Sequence, residues 1–346
     1  MADDACCAAA GANLLALLAG FLSTFQTKIN QLKLVTTYVT VAGKAHAADP
    51  AAAAALLGRL ESEAGEAKLG TEGFLLLTFE IARCQVAGGG DLIKAAKTTL
   101  DARKAQVEAL VGAPTAVYAS YYACLSSYFK LLGPADAFYN AALSMLAYTP
   151  VEAMAPATAH ELAVDLALAA LAGESVFNFG EVITTPILGA LEGTPEAWLG
   201  GLLHALNRGD VDRFNELLAA NEAAFGAQPA LASSRAFIKE KAALLALTEL
   251  LFHRGSDDRT VPFADVAAAT RMGVEQVEWM LMRAMSLKLV RGTIDQVRAI
   301  VTVTYVAPRV LETEQIAVLK ERLSGWGGKV DTTLSLIKDE TLELFQ

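Results

Sequence analysis

The sequence predicts a mainly α-helical chain in three parts. Residues 1–237 read as a right-handed, tetratricopeptide-like solenoid of helical hairpins, residues 238–311 as a winged helix, and residues 312–346 as a C-terminal helical tail. Three observations predict this. Turn signals cut the first part into helical stretches of about 12–20 residues with short connections. A helix–turn–helix pattern over residues 263–287 then runs into a two-stranded wing over 289–306. After Pro308, residues 312–345 carry apolar side chains at three- and four-residue spacing.

In the first part, Asp49-Pro50 opens a helix and an alanine run comes after it. Gly88-Gly89-Gly90-Asp91 ends one helix and caps the next, because glycine suits a left-handed stop and an aspartate oxygen accepts free first-turn N–H groups. Gly112-Ala113-Pro114, Gly133-Pro134, Thr149-Pro150, Pro156, Thr194-Pro195, Gly209-Asp210 and Gln228-Pro229 punctuate the rest. No repeat motif recurs cleanly, so the repeats are irregular. The uncharged residues 5–27 have the length of a signal peptide or a span. Asp3 and Asp4 stand where positive charge is wanted, and small residues dilute the hydrophobicity, so a first packed helix is expected.

Lys239 to His253 reads as a long buried helix with Leu244, Leu245, Leu247, Leu250 and Leu251 inward. Val261 adds a short strand, and Pro262 precedes a helix with Phe263, Val266 and Ala267 on its apolar stripe. Met272-Gly273 makes the turn, and the next helix places Val274, Val277, Leu281, Ala284 and Met285 on one face. Gly292 and Ile294-Asp295-Gln296 form the first wing strand and its turn. The β-branched run Ile300 to Tyr305 is the return strand.

The tail seam comprises Ile316, Leu319, Leu323, Trp326, Val330, Leu334, Ile337 and Thr341, the spacing of a helix that packs on another helix. Gly325, Gly327 and Gly328 interrupt it. Each costs about 1 kcal/mol against alanine, so the sequence predicts a kink or break there.

Composition bounds the function. The 346 residues are 54% hydrophobic and 19% charged, with much alanine and a net charge of −10; mean hydropathy is +0.38. Residues 1–237 hold 14 basic and 23 acidic side chains, a balance of −9; residues 238–346 hold 14 and 15, a balance of −1. No broad basic field is offered to nucleic acid. Cys6, Cys7, Cys84 and Cys124 have no zinc-ligand spacing and read as reduced thiols of the cytosol or nucleus.

No catalytic, cofactor or metal site is expected. His160-Glu161 has no second histidine four residues on, and His46, His204 and His253 stand alone. Residues 65–70 have loop spacing but lack the following Lys-Ser/Thr of a phosphate loop, residues 328–330 lack its hydroxyl residue, and no serine sits in a nucleophile elbow. The second helix of the helix–turn–helix shows Glu275, Gln276, Glu278 and Arg283 outward, and the wing offers only Arg291 and Arg298. Its glutamates repel phosphate. Trp279 and Met282 fall beside that polar face, either covered by the preceding helix or exposed as a protein contact. The wing has edges that accept a neighbour's strand unless Pro308 or the tail blunts them.

Four strings then carry a resemblance: Gly173 to Glu181 (GESVFNFGE), Asn207 to Phe214 (NRGDVDRF), Leu289 to Asp295 (LVRGTID) and Val306 to Leu311 (VAPRVL). In this order and spacing they resemble the proteasome lid family of non-ATPase regulatory subunit 13, over residues 115–346. The first hundred residues match only as a helical pattern, and the cluster Gly325-Trp326-Gly327-Gly328 departs from the family. The resemblance implies a PCI subunit, the domain type shared by the proteasome lid and the signalosome. Such subunits join winged helices side by side and gather their C-terminal helices in a bundle.

The resemblance therefore implies a non-catalytic scaffold of the 26S proteasome regulatory lid, with no cofactor, in cytoplasm and nucleus. It is expected to be part of a hetero-oligomer with other PCI lid subunits and the metal-dependent deubiquitinase pair, with a ubiquitin-receptor subunit nearby. Nucleic acid and membrane are not expected partners. The expected interface residues are Val301, Val303 and Tyr305 in the wing, and Ile316, Leu319, Leu323, Trp326, Val330, Leu334 and Ile337 in the tail. A PCI subunit of another complex such as the signalosome, or a nucleic-acid-binding winged helix, is the alternative.

Overall fold

Glycine and proline set where each helix stops, and apolar spacing sets which side of it is covered. The computed structural model describes residues 30–46, 50–110, 112–254, 259–308, 310 and 313–340. The uncharged segment at residues 5–27, Cys6, Cys7, Asp49 and Thr341 lie outside the described residues. Contacts divide the chain into two units. The first holds the described residues up to Val176 with Thr185–Gly201 and Ala220–Ile238. The second holds Phe177–Thr184, Leu202–Ala219 and the described residues from Lys239 on.

The first unit begins with α1 (Gln31–His46), α2 (Pro50–Gly88), α3 (Leu92–Ala109), α4 (Thr115–Leu132), α5 (Ala135–Tyr148) and α6 (Pro156–Ala172), consecutive helices packing on one another. Helix α2 turns out of helical geometry at Gly65 (φ 59°) and Gly70 (φ 72°), left-handed positions that glycine adopts at little cost. Leu57, Leu77, Phe79, Val117 and Cys124 are fully buried in the core, and the Phe79 ring meets Tyr121 edge-on at 5.1 Å. Burial in this apolar layer pushes the Cys84 thiol up and the Cys124 thiol up to about 12, which keeps both protonated and unreactive. Further along, Ala163, Ala167 and Ala170 are fully buried on α6, where small side chains let helices approach closely. Lys130 and Asp165 form an ion pair from α4 to α6. One carboxylate oxygen of Asp136 accepts the Ser175 N–H at 3.1 Å.

Two expectations about this part need correction. Asp91 makes no side-chain cap; its carboxylate pairs instead with Lys94 at 3.1 Å, and its backbone is already helical rather than extended as a capping residue requires. Helices from Gly180 to Ser233 fall short of the expected length. They are α7 (Gly180–Thr184), α8 (Ala197–Asn207), α9 (Val211–Ala220), α10 (Glu222–Ala227) and α11 (Pro229–Ser233), with a 3-10 turn over Pro186–Leu191. Prolines and glycines at close intervals prevent longer runs.

Helix α12 (Arg235–His253) starts four residues before the expected helix. Leu244, Leu245, Leu247 and Leu251 are buried as expected, whereas Leu250 is only partly so. In the second unit come β1 (Thr260–Pro262), α13 (Phe263–Thr270), α14 (Val274–Ser286), β2 (Val290–Asp295) and β3 (Ile300–Val306). The strands form an antiparallel sheet in the order β1-β3-β2. This is a winged helix: β3 returns beside β2, and the sheet, α12, α13 and α14 share one core of Leu247, Val261, Val266, Leu281, Val290 and Val301. On α14 the inward face is Val277, Met280, Leu281 and Ala284. Val274, expected inside, is 54% exposed because it is the first residue of the helix, beside an exposed turn.

The last element is α15 (Thr313–Glu340), one helix of 28 residues without a break. The expected kink at Gly325, Gly327 and Gly328 does not occur. Their propensity cost is spread over a long helix whose main-chain hydrogen bonding continues through them. Replacing the three glycines by alanine is expected to stabilise the tail helix by about 1 kcal/mol per site. Far-UV circular dichroism of the intact chain is then expected to lose helical signal at higher temperature. An unchanged transition would contradict a continuous helix.

Candidate protein interface

The wing differs from expectation in one decisive respect. Strand β3 lies between β1 and β2, so it is the central strand rather than an edge. Val301 is fully buried and Val303 nearly so; both are core residues of the winged helix and cannot meet a partner. Tyr305 is 41% exposed, with the Arg291 guanidinium over its ring at 5.0 Å. Three-residue β1 was too short a signal to show that it would cover the other side of β3. The outer strand β2 is bent by a bulge between Arg291 and Gly292 and carries a charge near each end, devices that blunt an edge.

The expected tail residues all lie on α15. Ile316, Leu319, Leu323, Trp326, Val330, Leu334 and Ile337 are all exposed, Leu323 at 60% and Trp326 at 67%. A helix of this length reaches about 42 Å at 1.5 Å per residue. Near its base, Arg322 donates to the carbonyl of His253 at 3.1 Å. Burying these side chains in another protein is worth roughly 1 kcal/mol each, given that they are already half covered by their own helix.

The three arginines that a nucleic-acid reading requires are engaged locally. Arg283 donates to Glu240 at 3.1 Å, Arg291 stacks on Tyr305, and Arg298 lies 3.8 Å from Asp295. Glu278 accepts from Gln296 at 2.9 Å, keeping a negative charge on the outer side of α14. Trp279 and Met282 are 55% and 51% exposed, so the preceding helix does not cover them. Among the described residues no cluster of His, Cys, Asp or Glu is arranged to hold a metal ion, and no helix is long and apolar enough to cross a membrane.

Within the second unit, the string around Asn178 meets the string around Val310. The Asn178 side-chain oxygen accepts the Val310 N–H at 3.2 Å, and its amide donates to Glu181 at 2.8 Å. A side chain at Gly180 would strike Val310 at 2.7 Å, so only glycine fits under that crossing. Phe177 and Phe179 place their rings 5.4 and 5.0 Å from the ammonium of Lys241, a fully buried lysine. Asp212 receives Arg271 bidentately, from Nε at 3.1 Å and from Nη2. These hydrogen bonds lower the Asp212 carboxyl and raise the Arg271 guanidinium. Sequence reading missed the Lys241 and Arg271 contacts, because a lysine or arginine on a helix reads as solvent-facing until its distant partner is known.

Helical repeats and a three-stranded winged helix together define a PCI-type subunit. A family profile described as PCI domain matches residues 218–304, and one described as PSD13 N-terminal repeats matches residues 4–203. The chain is 36% identical to 26S proteasome non-ATPase regulatory subunit 13 homolog B of Arabidopsis thaliana over 336 residues, 97% of this chain and 86% of that protein. It is 32% identical to the 26S proteasome non-ATPase regulatory subunit 13 of Dictyostelium discoideum, covering 94% and 83%. It is 34% identical to the 26S proteasome regulatory subunit RPN9 of Saccharomyces cerevisiae, covering 75% and 65%. The chain belongs to the 26S proteasome non-ATPase regulatory subunit 13 family.

Arg271 ends α13 with a left-handed backbone (φ 56°), which suits glycine better than a side chain. Both Arg271→Ala and Arg271→Gly are expected to return the Asp212 carboxyl to the ordinary range in an NMR titration. The glycine variant is expected to unfold at higher denaturant than the alanine variant. Because the folded carboxyl is lowered, the pair contributes at neutral pH, and its contribution fades as pH falls below the ordinary carboxylate range. Equal midpoints for the two variants would contradict the backbone account.

Proposed function

We propose that the chain is a non-catalytic scaffold subunit of the 26S proteasome regulatory lid, working in ubiquitin-dependent protein degradation. The observation that carries this reading is the unbroken helix α15 with its apolar seam exposed. Family membership, shared with proteasome regulatory subunits, supports the complex; the exposed seam supports the role. The helical repeats and the winged helix form the body of the subunit, and the tail docks into a bundle of helices from other subunits. The expected partners are other PCI lid subunits and the metal-dependent deubiquitinase pair, with a ubiquitin receptor nearby. Chemistry in such a complex belongs to the partners.

The wing contributes less than the strand residues suggested, since Val301 and Val303 stabilise the domain from within. Assembly therefore rests on the tail.

Affinity purification of the tagged chain from its native cells, beside a version ending at residue 311, tests the reading by mass spectrometry of the bound proteins. Proteasome regulatory subunits are expected with the full chain and depleted by the truncation. The double substitution Leu334→Asp with Ile337→Asp is expected to reduce incorporation by about tenfold or more, at about 1 kcal/mol lost per buried side chain plus the cost of burying each charge. The helical repeats should stay folded by circular dichroism. Normal incorporation of the double variant would remove the tail from the assembly mechanism, and recovery of a different set of PCI proteins would change the complex.

A further inference from the structure

Three arginines from separate elements of the second unit line one cavity of about 270 Å³. Arg254 follows α12, Arg259 precedes β1 and Arg322 stands on α15. The sheet contributes the buried Val261 and Val303 and the half-exposed Tyr305. No aspartate or glutamate is among the described lining residues, on a chain whose net charge is −10. A fourth guanidinium, that of Arg291, lies over the Tyr305 ring at 5.0 Å and adds positive charge beside the cavity.

The contacts of these arginines fix their positions more than they cancel their charge. Arg254 pairs with Asp265, which lies outside the lining. Arg259 donates to the Thr304 carbonyl at 3.3 Å, and Arg322 donates to the His253 carbonyl at 3.1 Å. A carbonyl orients a guanidinium without neutralising it. Among the described residues Arg322 makes no ion pair. Each guanidinium has five N–H donors, so an arginine held at one edge still presents others. Like charges gathered from three elements repel, and an anion placed among them turns that repulsion into attraction. The donors also select the anion. A carboxylate carries one negative charge, whereas a phosphate group carries about −2 near neutral pH and offers three strong acceptor oxygens. Planar guanidinium forks match those oxygens two at a time.

We propose that this cavity binds a small, multiply charged phosphate compound. Its oxygens accept from Arg322 on the tail and from Arg254 and Arg259 on the winged helix, so the bound anion ties the base of α15 to the domain. A free compound is favoured over a phosphate carried on a polymer by the size of the cavity and by the negative charge of the whole chain, which opposes a long anionic partner. The inference stands apart from the assembly reading, because it concerns a ligand of the chain itself.

Isothermal titration calorimetry of the full chain with inorganic pyrophosphate tests the proposal. One-to-one binding is expected, weakened by about tenfold or more in Arg322→Gln and in Arg259→Gln, the loss expected when a charged hydrogen-bond donor is removed. Arg322 is exposed on the tail helix, so its variant keeps the test decisive even if Arg259→Gln fails to fold by circular dichroism. Arg298→Gln, at the wing turn and outside the cavity lining, is expected to bind as the unmodified chain does. Absence of binding would overturn the site, as would equal weakening by Arg298→Gln or affinity unchanged in Arg322→Gln. The same titration with a phosphoserine peptide and with a short single-stranded DNA, at matched ionic strength, distinguishes the sources. Weaker binding of both supports the free compound. Equal or tighter binding of the peptide would overturn it in favour of a partner's modified side chain, and equal or tighter binding of the DNA in favour of nucleic acid.

Discussion

Burial of helix α12 is the constraint on which the rest of the second unit depends. From Lys241 to Leu247 this helix has almost no solvent-facing side. A helix covered all round needs neighbours on every flank. The winged-helix core supplies one through Val261, Val266 and Leu281, and α9 supplies another through Phe214. The segment around Phe177 and Phe179 supplies a third, and there the helix buries a lysine rather than a leucine. A buried ammonium is costly unless its surroundings favour the charge. Two ring faces within 5.4 Å return about 0.5–2 kcal/mol each, and they do so only if that segment is placed correctly. The lysine thus makes correct docking of the segment a condition of stability. The close fit of Gly180 under Val310 adds a steric condition to the electrostatic one.

Most of the helical architecture was legible because its signals are local. Proline and glycine end helices for reasons of backbone geometry alone, so the breaks at Pro114, Pro134, Pro150 and Pro156 could be read directly. The turn at Met272-Gly273 and both wing strands were equally readable. What escaped depended on distance or on sums. Strand order needed the pairing of Val261 with Val301, which no pattern within either segment reveals. The burial of Lys241 needed Phe177 and Phe179, far away in sequence. The tail glycines were misread because a cost per residue was treated as a break, whereas a long helix absorbs several such costs without losing its hydrogen bonds. The Asp91 cap failed for a smaller reason: a helical backbone at that residue points its carboxylate toward Lys94 rather than the first-turn N–H groups.

The functional surfaces come from the same division between satisfied and unsatisfied groups. Arginines at the wing and on α14 have local partners, which leaves the face acidic or neutral. The sheet is closed on β3 and bulged on β2. Among the described residues of the second unit, the seam of α15 and the recess beside Trp279 are apolar and open to solvent. The buried thiols Cys84 and Cys124, held protonated by their apolar surroundings, add no reactive chemistry. In the proposed assembly role, the apolar seam of α15 is a surface that partners cover.

The most direct test of that claim is hydrogen–deuterium exchange along α15, in the free chain and in the assembled complex. A helix covered by partners alone should exchange rapidly at its backbone amides in the free chain, through frequent local opening, and become strongly protected on assembly. Rapid exchange in both states would show that the tail is not an assembly element. Strong protection already present in the free chain would show that it is covered by its own fold.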